Sequence, residues 1–203
     1  MNGRKRIVAL ISGSGSNMEA LAVACERGEI QASVVAVLAD RDCSGLELAA
    51  ARAIPTGRVE PKHFESREVW SEALRDAVMV HEPDLVVSAG FMRILSPVFV
   101  DAFAGRLINL HPALLPAFPG AHAVRDALAA GVRVTGSTVH FVDHLVDHGP
   151  IIMQVPVAVE PDDSEETLHE RIKEAEHRML VDACKMFIEG RVHLDAGRVL
   201  IER

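Results

Sequence analysis

Cysteine is scarce in this chain, and the few thiols are far apart. The three cysteines, Cys25, Cys43 and Cys184, form no Cys-x-x-Cys pair. This spacing argues against a disulfide framework and against a zinc ribbon, and it is typical of reduced thiols. We therefore expect a cytoplasmic protein.

Long apolar runs are also lacking. The run that follows the basic N-terminus, Ile7 to Ile11, stops at Ser12, so it is too short for the core of a signal peptide. No other run approaches the roughly 20 apolar residues that a membrane-spanning helix needs. We expect no membrane partner.

Positive charge is in short supply as well. The chain has 21 basic and 29 acidic residues, a formal net charge of -8, and no long block of like charge. This balance argues against nucleic acid as a partner. It leaves room for a small anionic substrate, because a local cluster of donors can bind phosphate inside an acidic protein.

The chain does have an alternation of short β-branched runs and longer helical patterns. With 203 residues and 49% hydrophobic composition, it can build a substantial core. Strand-like and helix-like patterns alternate up to about residue 130, which predicts a parallel sheet. The longer strand candidates 134–142 and 151–159 then follow each other directly across a polar loop. We therefore predict an α/β, Rossmann-like fold, with a mostly parallel central sheet, helices on both faces and a mixed or antiparallel C-terminal addition.

The clearest helix prediction follows Pro161. Asp163 is the expected cap and Glu166 the third helical residue, and apolar residues recur every three or four positions from Leu168 to Met186. The chain shows no internal repeat or flexible linker, so residues 1–203 are expected to form a single domain.

A glycine-rich loop, residues 11–17, follows the first strand and opens the first helix. Backbone N–H groups are unpaired at such a place, and small residues let an anion approach them. One interpretation is a phosphate cradle made by Gly15, Ser16 and Asn17; the other is a tight turn in which Ser16 only caps the helix. The cluster of two glycines and three donors favours phosphate. The third glycine of the dinucleotide pattern is replaced by Met18, which favours a phosphomonoester.

Asn109 and His111 stand two residues apart, where an apolar run ends at Pro112. In an extended backbone both side chains leave from one face, at the mouth of a strand, and can converge on one carbonyl group. The Asn109 amide can donate to an oxygen that becomes negative, and His111 can move protons near neutral pH. Asp147 is a candidate partner that would orient the imidazole. The alternative is a polar turn whose side chains satisfy local backbone groups.

The polar loop after residue 142 raises the question of a metal site. The histidines and carboxylates there are closely spaced: His140, Asp143, His144, Asp147 and His148. Two histidines four residues apart need a helix to converge on a metal, whereas Gly149-Pro150 indicates a loop, and no cysteine joins them. We expect a solvated loop that carries one catalytic carboxylate, and no metal.

Four segments together resemble a known family. They are the glycine loop 11–17, the segment 89–96 (AGFMRILS), the segment 108–116 (INLHPALLP) and the segment 136–142 (GSTVHFV). They are similar to the folate-dependent formyltransferases and, among these, to the phosphoribosylglycinamide formyltransferases of purine biosynthesis. The match runs from residue 7 to about residue 190. The signature around 109–116 is shared by several formyl-transfer enzymes, so it indicates the reaction more than the acceptor. The glycine loop narrows the choice of acceptor molecule.

The resemblance implies transfer of a formyl group from the cosubstrate 10-formyltetrahydrofolate to the amino group of glycinamide ribonucleotide. Asn109, His111 and Asp147 match the catalytic residues of the family. In the implied mechanism, Asn109 and protonated His111 stabilise the oxyanion, and Asp147 supports His111 and orders a proton-carrying water. The implied partners are small-molecule substrates and a second copy of the chain in a homodimer.

The same resemblance implies two sets of binding residues. For glycinamide ribonucleotide, Gly15, Ser16 and Asn17 would hold the phosphate and Glu176 would contact the ribose or the glycinamide end. The two sets of binding residues divide the domain into a nucleotide-binding half, about 1–105, and a folate and catalytic half, about 106–203. The folate is expected to contact Arg67 near its glutamate tail and, along its length, Met92, Arg93, Ile94, Leu95, Asn109, Asp143, His144, Leu145, Val146 and Asp147.

Three other functions compete with this one. A methionyl-tRNA formyltransferase would carry an additional C-terminal tRNA-binding domain, and a formyltetrahydrofolate hydrolase an N-terminal regulatory domain; we expect this chain to have room for neither. A non-catalytic nucleotide-sensing module with a Rossmann-like sheet would need the glycine loop. It would not need Asn109, His111 and Asp147 together.

Overall fold

The computed structural model describes residues 3–202, and its helices and strands alternate as the sequence pattern predicts. Among these residues, no helix has the length and apolarity needed to cross a membrane. The strands are β1 Lys5–Ile11, β2 Ala32–Ala39, β3 Thr56–Arg58, β4 Leu85–Ser88, β5 Leu107–His111, β6 Val134–Phe141, β7 Ile151–Ala158, β8 Val192–Asp195 and β9 Arg198–Ile201. The helices are α1 Ser16–Glu26, α2 Ser44–Ala51, α3 Arg67–Met79, α4 Pro97–Ala102, α5 Ala123–Ala129 and α6 Glu165–Ile188, with a 3₁₀ turn at Pro61–His63.

Seven strands form one sheet in the order β3-β2-β1-β4-β5-β6-β7. The pairs from β3 to β5 are parallel, while β6 runs antiparallel to both β5 and β7. Strands β8 and β9 form a separate antiparallel hairpin. The predicted mostly parallel sheet with an antiparallel C-terminal addition is confirmed.

Helices cover both faces of the sheet, and β1 shows why. Its side chains alternate between two apolar clusters: Ile7, Ala9 and Ile11 pack with α1 and α6, whereas Val8 and Leu10 pack with α3 and α4. A strand buried on both faces reads as a continuous apolar run, as this one does. The predicted two-faced arrangement is confirmed.

The start of α6 differs from the prediction. Ser164, not Asp163, is the cap: its hydroxyl accepts from the backbone N–H of Thr167, and the Thr167 hydroxyl in turn accepts from the backbone N–H of Ser164. The carboxylate of Asp163 instead accepts hydrogen bonds from the Arg171 guanidinium, from Nη1 to Oδ2 at 2.7 Å and from Nη2 to Oδ1 at 2.9 Å. The prediction was wrong by one residue, because a capping box can be built from threonine as well as from glutamate.

The sheet has a switch point between β1 and β4. From β1 the chain proceeds to β2 on one side, and β4 pairs with β1 on the other side. In sheets of this kind, ligands bind outside the carboxyl ends of the strands at such a point. Two loops flank the switch point at the carboxyl ends of these strands. They are the glycine loop after β1 and the segment 89–96 after β4.

Candidate active site

The glycine loop leads directly into α1. Gly15 occupies the N-cap position with φ of 76°, and no side chain caps the helix. The interpretation in which Ser16 is the cap was therefore wrong: Ser16 and Asn17 are the first two helical residues. Their backbone N–H groups lie in the first turn, where a helix offers no internal acceptor. The loop thus presents a helix N-terminus suited to an anion.

A second glycine, Gly45 in the first turn of α2, supports this loop. Its N–H donates to the carbonyl oxygen of Gly13 at 3.1 Å. A Cβ at residue 45 would lie 2.8 Å from that oxygen and 2.9 Å from the Cα of Gly15, so only glycine allows the contact. The role of Gly45 was not predicted, because an isolated glycine in the sequence gives no sign of what lies opposite it in the fold.

Glu176 and Asn17, which are 159 residues apart, meet beneath the glycine loop. The Asn17 amide Nδ2 donates to Glu176 Oε2 at 3.0 Å, and Glu176 is only 5% exposed. The family resemblance assigns both residues to one substrate, and the structure brings them together. One N–H of this amide is engaged by Glu176, and the backbone N–H of Asn17 is a further donor that an anion at the loop can use.

Ser137, on β6, is the second hydrogen-bond partner of Glu176. Its single hydroxyl proton has two neighbouring oxygens, the main-chain oxygen of His111 at 2.9 Å and Glu176 Oε1 at 3.1 Å. The hydroxyl can share its proton between these two acceptors, so it ties Glu176 to β5. Burial raises the pKa of Glu176, against the opposing effect of the hydrogen bonds from Asn17 and Ser137. Glu176 therefore links α6 to β5 through Ser137, in surroundings whose burial raises its pKa.

Replacing Glu176 by glutamine should make the stability of the fold less sensitive to a rise in pH. A carboxyl group whose pKa is raised on folding adds stability below its ordinary pKa, and this contribution is lost as pH rises through the folded value. The melting temperature of the wild type should therefore fall, relative to that of Glu176→Gln, as pH increases across this range. Thermal denaturation at a series of pH values measures the difference. A constant difference between the two proteins would show that folding does not raise the pKa of Glu176.

Asn109 lies inside the sheet ladder, opposite Ser88 of β4 and His140 of β6. The pair was predicted at the mouth of a strand; β5 ends at His111, and Asn109 lies two residues inside that end. The His140 Nδ1–H donates to the carbonyl oxygen of Phe141 at 2.8 Å, which leaves Nε2 to accept from the Asn109 amide at 3.2 Å. Burial lowers the pKa of His140, in keeping with this neutral ring. His140 thus fixes the Asn109 amide with one N–H still available.

His111 is 4% exposed and lies at the end of β5. Its Nδ1 is 3.3 Å from Asp147 Oδ2, and its Nε2 donates to the carbonyl oxygen of Phe118 at 2.8 Å. Both ring nitrogens therefore face oxygen acceptors, and the doubly protonated ring satisfies both. The Gly120 N–H holds Asp147 Oδ2 at 2.8 Å. The pairing of His111 with Asp147 that was expected from the sequence is present.

The loop that carries Asp147 is held by local contacts. His148 pairs with Asp143 at 2.9 Å, and His144 pairs with Asp101 of α4 at 2.7 Å. A Cβ at residue 149 would collide with the carbonyl oxygen of Phe141, so this turn requires glycine. In the described part of the chain, no three histidine, cysteine or carboxylate side chains converge so as to hold a metal ion. The histidines of this loop are thus paired with carboxylates one by one.

The residues assigned to folate fall into two groups. Arg67, Met92, Arg93 and Ile94 line one cavity of about 530 Å³, together with Trp70 and Phe64. Leu95 is half-buried and packs into the core beside α3 and α4.

The second group, residues 143–147, does not line this cavity; its Asp147 belongs to the catalytic cluster. Both groups present exposed apolar side chains, with Met92 63% and Leu145 60% exposed. Apolar side chains exposed in this way suit the binding of a flat, partly apolar ligand.

Comparison with known proteins places these residues in a family context. The family model described as "Formyl transferase" matches residues 5–184. The chain is 55% identical over 178 residues to a phosphoribosylglycinamide formyltransferase of Mycobacterium tuberculosis, covering 88% of this chain and 82% of that protein. It is 43% identical over 189 residues to the enzyme of that name from Escherichia coli, covering 93% and 89%. The crystal structure of glycinamide ribonucleotide transformylase 1 from Symbiobacterium toebii superposes with a TM-score of 0.97 at 42% identity, covering 100% of this chain and 96% of that one.

Proposed function

Because the chain belongs to the formyl transferase family, we propose that it is an enzyme that transfers a formyl group from 10-formyltetrahydrofolate to the amino group of glycinamide ribonucleotide. This reaction is a step of de novo purine biosynthesis. The relatives from Mycobacterium tuberculosis and Escherichia coli carry the name of this activity. The observation that carries the proposal is the cluster of Asn109, His111 and Asp147 next to an anion-binding loop.

The cluster suits attack on a formyl carbon. The acceptor amine forms a C–N bond to that carbon, and the formyl oxygen becomes negative. The free N–H of Asn109 stabilises this oxygen, and the Nε2–H of His111 turns to it from the carbonyl oxygen of Phe118. A preorganised donor costs little reorganisation when the charge develops, and His140 supplies this preorganisation for Asn109.

Collapse of the tetrahedral intermediate then breaks the bond to N10 of the folate. The amine loses a proton and N10 gains one. A water held by Asp147 carries this proton, and the carboxylate orients the imidazole of His111 through the Nδ1 contact at 3.3 Å. Asp147 thus acts on the imidazole and on the water and does not itself bond to the formyl group.

The binding residues follow the geometry of the switch point. The acceptor phosphate binds the backbone N–H groups of Gly15, Ser16 and Asn17, and Glu176 contacts the ribose or the glycinamide end. The folate lies between the catalytic cluster and the cavity of about 530 Å³, with its glutamate tail at Arg67. The residues of this path are those assigned from the sequence: Met92, Arg93, Ile94, Leu95, Asn109, Asp143, His144, Leu145, Val146 and Asp147.

We further propose that the enzyme is a cytoplasmic homodimer that acts on small molecules only, and that residues 1–203 form one domain. The buried thiols of Cys25 and Cys184 are free, which suits a reducing compartment. The halves 1–105 and 106–203 share one sheet through the parallel pairing of β4 with β5.

The test is an absorbance assay of the folate product with glycinamide ribonucleotide as acceptor, beside a sample without acceptor. We expect product only when the acceptor is present. Equal rates in the two samples would indicate a hydrolase. No product in either sample, with binding of the nucleotide intact, would indicate a non-catalytic nucleotide sensor.

A further inference from the structure

A buried carboxylate outside the catalytic cluster lies at the same end of the sheet as that cluster, where the parallel strands have their carboxyl ends. Asp40 directly follows β2, and its side chain has no exposed surface. A buried ionised group is costly unless it is paired and hydrogen-bonded. None of the catalytic steps uses Asp40, so its position calls for a separate explanation.

Three polar groups surround Asp40. The Arg93 Nε donates to Oδ2 at 2.6 Å, the Arg41 Nη2 donates to the same oxygen at 3.0 Å, and the Ser12 hydroxyl is also hydrogen-bonded to the carboxylate. Burial alone would raise the pKa of Asp40, but these hydrogen bonds outweigh it and the pKa lies below its ordinary value. Asp40 is therefore an ionised anchor that reaches from β2 across the end of β1 to the loop after β4.

The anchor defines which edge of Arg93 remains free. Asp40 engages Nε, and within residues 3–202 Arg93 makes no other ion pair or side-chain hydrogen bond. Both Nη groups remain available, and Arg93 lines the same cavity as Arg67. Two guanidinium groups beside one cavity match a ligand with two carboxylates, because each can bind a carboxylate through paired N–H donors.

We propose that Asp40 is a positioning residue for the formyl donor: it orients Arg93 so that Arg93 and Arg67 together bind the two carboxylates of the donor's glutamate. This inference rests on the folate placement proposed above. An arginine whose rotamer is already held by Asp40 loses less conformational entropy when it binds the ligand. Asp40 thereby sets affinity for the glutamate end without contacting the donor.

The experiment compares two formyl donors in the Asp40→Asn variant. One is 10-formyltetrahydrofolate; the other, 10-formyltetrahydropteroate, lacks the glutamate. We expect KM for the first donor to rise about tenfold, the equivalent of about 1.4 kcal/mol, while kcat stays within about twofold. KM for the second donor should change by less than about twofold. A rise of equal size for both donors, or a fall in kcat as large as the rise in KM, would overturn the proposal.

Arg93→Gln provides the second arm and does not depend on how Asp40→Asn folds. It should reproduce the donor-selective rise in KM. The double variant should have a KM for 10-formyltetrahydrofolate no higher than that of either single variant, because the two changes remove the same interaction. Additive effects would show that Asp40 does not act through Arg93. Asp84→Asn is the matched control. Asp84 pairs with Lys5 at 2.8 Å just before β4 begins, at the opposite end of the strands from Asp40. Its replacement should leave both KM values unchanged.

Calorimetric binding separates this inference from the proposed function. Tetrahydrofolate and tetrahydropteroate are titrated into the wild type and into Asp40→Asn, with no turnover required. A wild type that binds neither ligand would refute the folate site itself. A wild type that prefers tetrahydrofolate, beside a variant that keeps the whole preference, would refute only the role of Asp40.

Discussion

Replacing His111 by alanine should lower kcat by roughly a hundredfold to ten-thousandfold, the usual range for a lost general acid-base group. The imidazole is the group that Asp147 contacts at 3.3 Å and that turns its Nε2–H to the developing oxyanion. Since the loss falls on the transition state, kcat and kcat/KM should decline together. Steady-state rates with both substrates at saturation measure the effect.

His193→Ala is the matched control for this substitution. His193 lies exposed on β8, outside the catalytic cluster, so its replacement should leave turnover unchanged. Thermal denaturation of both variants shows whether His111→Ala is folded. A folded His111→Ala protein with wild-type turnover would refute the proposed mechanism.

Replacing Asn109 by alanine should lower kcat by roughly a hundredfold to a thousandfold, the loss observed when one oxyanion donor is removed. The amide donates one hydrogen to His140 Nε2 at 3.2 Å and keeps the other for the formyl oxygen. Binding of glycinamide ribonucleotide should be retained, because the glycine loop is not altered. Single-turnover rates and nucleotide titration measure the two quantities.

Asn109→Asp distinguishes loss of the donor from loss of volume. Aspartate has the size of asparagine, but when ionised it only accepts hydrogen bonds. If Asn109 acts as an oxyanion donor, this variant should be at least as slow as Asn109→Ala. An active Asn109→Asp enzyme would show that the side chain serves only to fill space in β5.

The fold could be predicted from the chain because its signals are local and repeated. The run Ile7–Ile11 is apolar throughout, as a strand buried on both faces must be, and the periodicity after Pro161 marks the long α6. The prediction failed where a segment is short. Strand β3 has three residues and α4 has six, too few for a period to be read, and pairing with neighbours in space stabilises them.

The site was predicted in part. The pairing of His111 with Asp147 was expected, because carbonyl chemistry needs both groups and the resemblance named them. The support of Asn109 by His140 was missed, since it depends on the antiparallel register that sets residue 109 opposite residue 140. Gly45 was missed for a similar reason: the close approach of α2 to the glycine loop leaves no trace in the neighbouring residues.

The sequence by itself determined the alternating elements, the glycine loop and the types of reactive side chain, because these depend on local propensity and on the chemistry of each residue. Only the tertiary structure decided which groups meet and in which direction their pKa values shift. The pKa of Glu176 is raised because folding buries it beside Asn17 and Ser137, and the pKa of Asp40 is lowered because folding surrounds it with Ser12, Arg41 and Arg93. Both outcomes depend on desolvation and on partners distant in sequence, and spacing along the chain does not encode either of these.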